Sequence, residues 1–233
     1  RLRKKYSVIS INRNKIYNDK NSLTYDDILN VHSDKHIKKL RSCDTFIHVA
    51  SAIDFNNLNA ETSYFNCFQT HSIFSLLKQV GVKKVILISG APIVHSNGDV
   101  IKEDASTLSN SVYHLSKFYQ EKLLEIINFD FYYNLRISSP ISPNIQKKTI
   151  FKVLMDNAIL NKDITIKGLG SRLQNYIDVR DVSKTIEDLI KSDNFLSGTY
   201  NICSNKSISN LNLAKLITEV IPTKSKINHI GED

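Results

Sequence analysis

The sequence predicts an α/β fold, a parallel sheet covered by crossover helices. Beta-branched and aromatic runs alternate with amphipathic helical stretches along the chain, which is the pattern such a sheet requires. Its 233 residues, 41% of them hydrophobic, suffice to bury a sizeable core. The sequence shows no repeats, low-complexity tracts or linker, so a second domain has to be interleaved with the first rather than strung on behind it.

Strands are predicted in order at Tyr6–Ile11, Thr45–Ser51, Lys84–Ser89, Phe131–Ile137, Ile164–Ile166 and Thr199–Ile202. Between them, the stretch Thr62–Val80 keeps apolar residues at helical spacing through Phe65, Phe68, Ile73, Leu76 and Leu77, then meets Gly81, a good C-terminal stop. Val112–Ile127 is amphipathic through Leu115, Phe118, Leu123, Leu124 and Ile127. Asp181 is the expected cap of a helix running to Lys191 on the apolar face of Val182, Ile186, Leu189 and Ile190. Leu211–Ile221 is the last helix.

Charge narrows the choice of partners. The formal charge is +8 and the pI about 9.2, yet lysines are spread over every segment, with no block of like charge and no aromatic-basic interleaving. A solvated lysine-rich surface is the expectation, and no nucleic-acid partner; a basic cleft for a nucleotide diphosphate is compatible with it. No run approaches the roughly 18 apolar residues that span a bilayer, and the basic start, Arg1 to Tyr6, leads into no apolar signal segment. No membrane contact and a cytoplasmic setting are expected. Cys43, Cys67 and Cys203 lack metal-ligand spacing, so no metal is predicted and the thiols are expected to be reduced.

Tyr113 and Lys117 are the first residues that suggest chemistry. Four positions apart on a predicted helix, they share one face. A cation beside a phenol favours the phenolate and lowers its pKa, making tyrosine a usable acid/base near neutrality. Alone, such a pair is a weak signal in a lysine-rich chain with ten tyrosines.

The order of further motifs strengthens it. Cys43 to Ser51 is a strand ending in His48-Val49-Ala50-Ser51. Asn66 and Thr70 precede Leu76-Leu77 and Gly81-Val82-Lys83-Lys84-Val85. Glu103-Asp104 leads to Tyr113, Ser116, Lys117 and Glu121, and Leu135-Arg136-Ile137-Ser138-Ser139-Pro140 leaves another strand. Gly168 and Gly170, Tyr176 to Val179 with Asp181-Val182, and Gly198 to Ile202 follow. In this order, from Thr45 to Leu216, the chain resembles the extended short-chain dehydrogenase/reductases, the NAD-dependent epimerase/dehydratase family. The resemblance implies a Rossmann-type parallel sheet with helices on both faces and a small interleaved C-terminal α+β substrate domain. Residues 1–140 would bind NAD(P). Residues 141–233 would form mainly the substrate region, with a segment around 174–203 returning to the first domain. Gly81 is the first glycine of the sequence, and Tyr6 to Arg13 is similar to the family's second strand. The chain is therefore expected to begin after the family's glycine-rich phosphate turn, and to stop inside the substrate domain.

The resemblance also implies roles. Tyr113 is the acid/base on a substrate hydroxyl; Lys117 bonds the nicotinamide ribose and depresses the phenol. The cofactor is further expected against Asn12, Arg13, Val49, Ala50, Ser51, Asn66, Ser89, Ile137 and Ser138. Asn12 stands where an acid would bond the adenosine ribose, and Arg13 would attract a 2′-phosphate, so NADP is favoured slightly over NAD. Substrate contacts fall on Ala91, Ser139, Arg172 and Gln174. His48 is expected to be a packing residue.

Two positions depart from the family pattern. Ala91 occupies the place of a catalytic Ser or Thr, with Ser89 the substitute if the loop is longer. Gln174 replaces an arginine that grips phosphate, with Arg172 nearby. Pro92-Ile93 stands where sugar dehydratases carry an acid pair, which disfavours dehydration. The expected function is an NAD(P)-dependent epimerase or reductase acting on a nucleotide-activated sugar, as a homodimer through the helices Thr62–Val80 and Val112–Ile127. The alternatives are a non-catalytic dinucleotide-binding sensor or scaffold and, from charge alone, an RNA-binding relative.

Overall fold

The computed structural model describes residues 2–14, 16, 19, 21–29, 34–52, 60–95, 100–105, 107–108 and 111–232. The chain runs through β1 (Ser10–Asn12), β2 (Ser22–Thr24), α1 (Tyr25–Leu29), α2 (Asp34–Arg41), β3 (Thr45–His48), α3 (Ala60–Val80), β4 (Lys84–Gly90), β5 (Val94–His95), β6 (Thr107–Leu108) and α4 (Val112–Ile127). It continues through β7 (Phe131–Ile137), β8 (Ser139–Ile141), α5 (Ile150–Ile159), β9 (Ile164–Lys167), β10 (Leu173–Gln174), β11 (Tyr176–Asp178), α6 (Val179–Lys191), β12 (Gly198–Ile202), β13 (Ile208–Ser209), α7 (Asn210–Val220) and β14 (Ile227–Ile230). Two compact units share these elements: Arg1–Ile137 with Ser183–Asn201, and Ser138–Val182 with Ile202–Asp233.

The larger unit is built on a sheet of order β12-β7-β4-β3, in which β3, β4 and β7 run parallel. Strand β4 explains why the sheet needs helices on both faces. Val85 and Leu87 point to one side and join Ile73, Phe74, Leu77, Leu124 and Phe129 from α3, α4 and the turn after α4 in one core. Ile86, facing the other way by strand alternation, is equally buried. Strands β1 and β2 pair parallel beside a second core of Leu23, Ile28, Leu40 and Leu76. The fold is α/β and Rossmann-like.

Several local signals act as expected. Helix α3 stops where Gly81 takes φ +86° and Val82 N–H returns to the Leu77 carbonyl at 3.0 Å, the closure that left-handed backbone permits. Helix α4 and strand β7 have the predicted bounds. Three expectations need correction. The strand predicted at Tyr6–Ile11 forms only at Ser10–Asn12, where the chain meets the edge of Ser22–Thr24. The strand beginning at Thr45 ends at His48 rather than Ser51, because the backbone of Ala52 is held by the Asn66 side chain instead of a ladder. Helix α6 begins at Val179, with Asp178 Oδ1 accepting the Arg180 N–H at 2.7 Å, so Asp178 and not Asp181 fills the cap position.

In the smaller unit, α5 and α7 pack with β9 around Leu154, Ala158, Ile164, Ile166, Leu213, Ala214 and Ile217. Gly170 permits the close approach there: a Cβ would sit 2.5 Å from Ile166 Cγ2, and φ is +67°. Strand β8 pairs parallel with β11, and β9 with β14.

Candidate active site

Helix α4 gives the site its distinctive character. Its inward stripe is apolar at Leu124 but carries Lys117, Gln120 and Glu121 in the preceding turns, all buried. Buried charges need partners, and each has one. Lys117, 4% exposed, donates from Nζ to the Ile88 carbonyl at 2.9 Å, which brings α4 against the carboxyl end of β4. Burial pushes the ammonium down to about 8, and the neighbouring Glu121 carboxylate opposes that fall. Glu121 in turn takes a fork of hydrogen bonds from Arg136 on β7, Nη2 to Oε2 at 2.8 Å and Nε to Oε1 at 3.1 Å. Arg136 Nη1 also donates to the Glu103 carbonyl at 3.0 Å, and the Glu103 carboxylate accepts the Asn201 N–H at 2.9 Å. The Glu103 segment is thereby clipped to the sheet.

Tyr113 sits one turn before Lys117 and is half-buried. Burial raises the phenol above its ordinary value.

Under the turn after β3 lies a polar node that sequence reasoning reached only as separate letters. Thr70 Oγ donates to the Asn66 carbonyl at 2.8 Å and accepts Gln120 Nε2 at 2.7 Å. His48 Nε2 lies 3.1 Å from the same oxygen. With the threonine proton already spent and Gln120 donating, His48 must donate through Nε2–H, which fixes its tautomer. Its ring stacks on Phe46 and meets Phe74 edge-on, and burial pulls its pKa down to about 3, so it is neutral. Asn66 clamps Ala52 from both sides, accepting its N–H at 2.9 Å and donating to its carbonyl at 2.8 Å. The missed signal for Gln120 was its position on the same face as Tyr113 and Lys117.

The remaining predicted residues divide between the units. In the larger one, Val49 and Ala50 are exposed while the Ser51 and Ser89 hydroxyls are buried without a hydrogen-bond partner among the described residues. Ser89 is second from the carboxyl end of β4, in register with Arg136, and Ile137 ends β7 in register with Gly90. Ala91 opens a 3-10 turn. Asn12 ends β1, its amide 3.4 Å from Ser22 Oγ, and Arg13 is exposed. In the smaller unit, the Ser138 hydroxyl is buried without a partner among the described residues, Ser139 Oγ donates to Gln174 Oε1 at 3.1 Å, and Arg172 is exposed. No cluster of metal-ligating side chains occurs among the described residues.

A parallel sheet with a helix-borne ammonium and phenol and partnerless hydroxyls at its carboxyl end has the features of the dinucleotide-binding α/β class. The family model of the NAD dependent epimerase/dehydratase family matches residues 1–203, and the chain belongs to that family. A curated relative, dTDP-D-glucose 4,6-dehydratase of Dictyostelium discoideum, is 24% identical over 204 residues, 80% of this chain and 47% of the relative. The chain thus spans about half the length of that protein. Among solved structures, UDP-glucuronic acid 4-epimerase of Bacillus cereus, in complex with UDP-glucuronic acid and NAD, superposes with a TM-score of 0.77 at 17% identity, over 92% of this chain and 70% of that one. UDP-glucose 4-epimerase of Thermotoga maritima with UDP-glucose gives 0.77 at 17% identity over 99% and 80%. UDP-N-acetylglucosamine 4-epimerase of Methanobrevibacter ruminantium, in complex with UDP-N-acetylmuramic acid, gives 0.76 at 23% over 93% and 72%. At such identities these structures establish the fold.

Whether the residues present suit a nicotinamide dinucleotide can be asked of the site itself. The ribose and nicotinamide half is well matched: Lys117 offers N–H donors, and the Ser51 and Ser89 hydroxyls have hydrogen bonds to give. For the pyrophosphate, residues 1–80 offer no glycine.

Proposed function

We propose that the protein is an NAD(P)-dependent epimerase or reductase acting on a nucleotide-activated sugar. The observation that carries this reading is the buried Lys117 ammonium, anchored at the carboxyl end of β4 one helical turn from Tyr113. The cofactor, when bound, supplies or accepts a hydride at its nicotinamide carbon. Lys117 holds the adjoining ribose through its N–H donors. Tyr113 takes the proton of the sugar hydroxyl as the carbonyl forms and returns it on reduction, with Ser89 as a further donor. Burial raises the phenol above its ordinary value, so the tyrosine stands protonated in the ligand-free site. Ser138 and Ile137 are assigned to the cofactor, and Ala91, Ser139, Arg172 and Gln174 to the substrate. Pro92-Ile93 has no proton to shuttle, so epimerisation or reduction is preferred over the dehydration named for the curated relative.

Finer assignments accompany this reading. Asn12 and Arg13 favour NADP over the NAD of the solved neighbours, an assignment tested by comparing the affinities of the two cofactors. Tyr64, Phe68, Leu115 and Tyr119 form an exposed apolar face on α3 and α4, suited to the same face of a second copy in a homodimer. No described helix is long and apolar enough to cross a membrane, and the described cysteines are free, which suits a cytoplasmic setting.

The deciding experiment mixes the protein with NAD(P)H or NAD(P) and a panel of UDP-, GDP- and dTDP-sugars, following absorbance and product stereochemistry. Turnover that Tyr113→Phe lowers by about a hundred- to ten-thousandfold is expected. Dinucleotide binding without turnover supports the sensor reading instead.

A further inference from the structure

His48 of β3, Asn66 and Thr70 of α3, and Gln120 of α4 are each no more than 4% exposed, and one connected set of bonds joins them. Thr70 Oγ donates to the Asn66 carbonyl at 2.8 Å, accepts from Gln120 Nε2 at 2.7 Å and has His48 Nε2 at 3.1 Å. A hydroxyl has one proton and two lone pairs, and all are used here. The Asn66 side chain in turn holds both the N–H and the carbonyl of Ala52, at 2.9 and 2.8 Å. Through α3, Gln120 thereby ties α4 to the segment Val49–Ala52. Three residues earlier on the same helix, Lys117 Nζ is fixed on the Ile88 carbonyl at 2.9 Å.

Stability does not account for a glutamine at this position. Gln120 is fully buried, and its Oε1 has no hydrogen-bond partner among the described residues. A leucine would fill the place without burying an open carbonyl oxygen, and Thr70 would keep its bonds to Asn66 and His48. What the amide supplies is direction, because a buried hydrogen-bonded network specifies one arrangement of the elements that it joins.

We propose that Gln120 is a positioning residue for the dinucleotide, setting the segment Val49–Ala52 against Lys117. The inference rests on the assignment of Val49, Ala50, Ser51 and Lys117 to the cofactor, and deepens it. A ligand that meets both the segment and the ammonium spans two elements, and Gln120 fixes their spacing. Buried as it is, Gln120 acts through Thr70 and Asn66 rather than by contact with the ligand.

The test compares the full 233-residue chain with its Gln120→Leu variant. Titration with NADH and NADPH, read by nicotinamide fluorescence, should show the Kd raised about tenfold, the order expected for one lost hydrogen bond. The kcat at saturating dinucleotide and the KM of the nucleotide-sugar should not move, and the midpoint of chemical denaturation should be unchanged or raised. Amide exchange at Ala52, whose N–H reports the Asn66 clamp directly, should accelerate about tenfold. A Kd unmoved by Gln120→Leu overturns the proposal. So does weaker binding accompanied by a lower denaturation midpoint, because general loosening then accounts for it. An unsubstituted chain that retains no dinucleotide refutes the cofactor assignment instead. Ala52 exchange then decides the link by itself: faster in the variant upholds it, and equal rates refute it.

Discussion

The two ends of the central sheet treat buried polar groups in opposite ways. At the amino end of β4, Lys84 is 5% exposed and fully occupied: Nζ donates to the Leu189 carbonyl at 2.7 Å and pairs with Asp193 Oδ1 at 2.8 Å. It also reaches the Ser192 carbonyl at 3.3 Å and lies over the Phe131 ring. The lysine thus caps the last carbonyls of α6, where positive charge is also favoured by the helix dipole. At the carboxyl ends of β3 and β4, the Ser51 and Ser89 hydroxyls are buried with no hydrogen-bond partner among the described residues. An open buried hydroxyl costs about 1–3 kcal/mol. Among the described residues, one end of the sheet has its buried charge fully bonded, and the other leaves buried hydroxyls open. Around the open end, His48, Thr70, Glu121 and Arg136 are saturated with partners, which holds the unsatisfied groups still.

The contrast can be broken from its saturated side. The largest expected effect belongs to His48, whose folded pKa of about 3 lies below its ordinary value of 6.5 because burial disfavours the imidazolium. The unfolded chain binds that proton first as the solution is acidified. Stability contributed by the neutral ring is complete above pH 6.5 and is lost progressively as pH falls toward 3, on the order of 5 kcal/mol over the whole window. Denaturant melts at a series of acidic pH values should show this limb, flattened in His48→Asn. Glu121→Gln leaves the buried Arg136 guanidinium unpaired and should cost about 3–5 kcal/mol, read as a lower midpoint in chemical denaturation. An unchanged midpoint would mean that the pair is dispensable and that the open end is less rigidly framed than argued. Lys84→Met removes the cap from α6 and should cost about 2 kcal/mol, with local hydrogen exchange rising at the end of that helix.

The smallest effect sharpens the comparison because its sign differs. Ser89→Ala removes an unsatisfied hydroxyl, so stability should rise by about 1 kcal/mol, while turnover falls if Ser89 donates to the substrate. Appreciable destabilisation by Ser89→Ala would show that this hydroxyl has a structural partner and that the two ends of the sheet do not differ as described.

Much of this was legible before any coordinates. The apolar period of Thr62–Val80 with its closing Gly81, and the bounds of Val112–Ile127 and Phe131–Ile137, follow from side-chain periodicity and turn chemistry, which are properties of neighbouring residues. The elements β2, α1, α2 and α5 were missed; β2 is a three-residue strand that forms where Ser22–Thr24 meets Ser10–Asn12, whereas the Thr149 cap of α5 was a local signal left unread. The start of α6 was misplaced because two aspartates lie within three residues and either can cap; the accepted Arg180 N–H selects Asp178.

For the candidate site the division is similar. The spacing of Tyr113, Lys117 and Glu121 follows from sequence alone, since helical geometry sends side chains four apart to one face. Only the tertiary structure decided what those side chains do there. Lys117 donates a hydrogen bond to the Ile88 carbonyl, Glu121 pairs with Arg136, and Thr70 gathers His48 and Gln120 around one oxygen. Hydrogen bonds and desolvation depend on groups brought together from distant parts of the chain, and no local pattern encodes which of several donors will find a given acceptor. That is why sequence located the candidate residues, and the fold determined that Lys117 is anchored on the Ile88 carbonyl and that Glu121 pairs with Arg136.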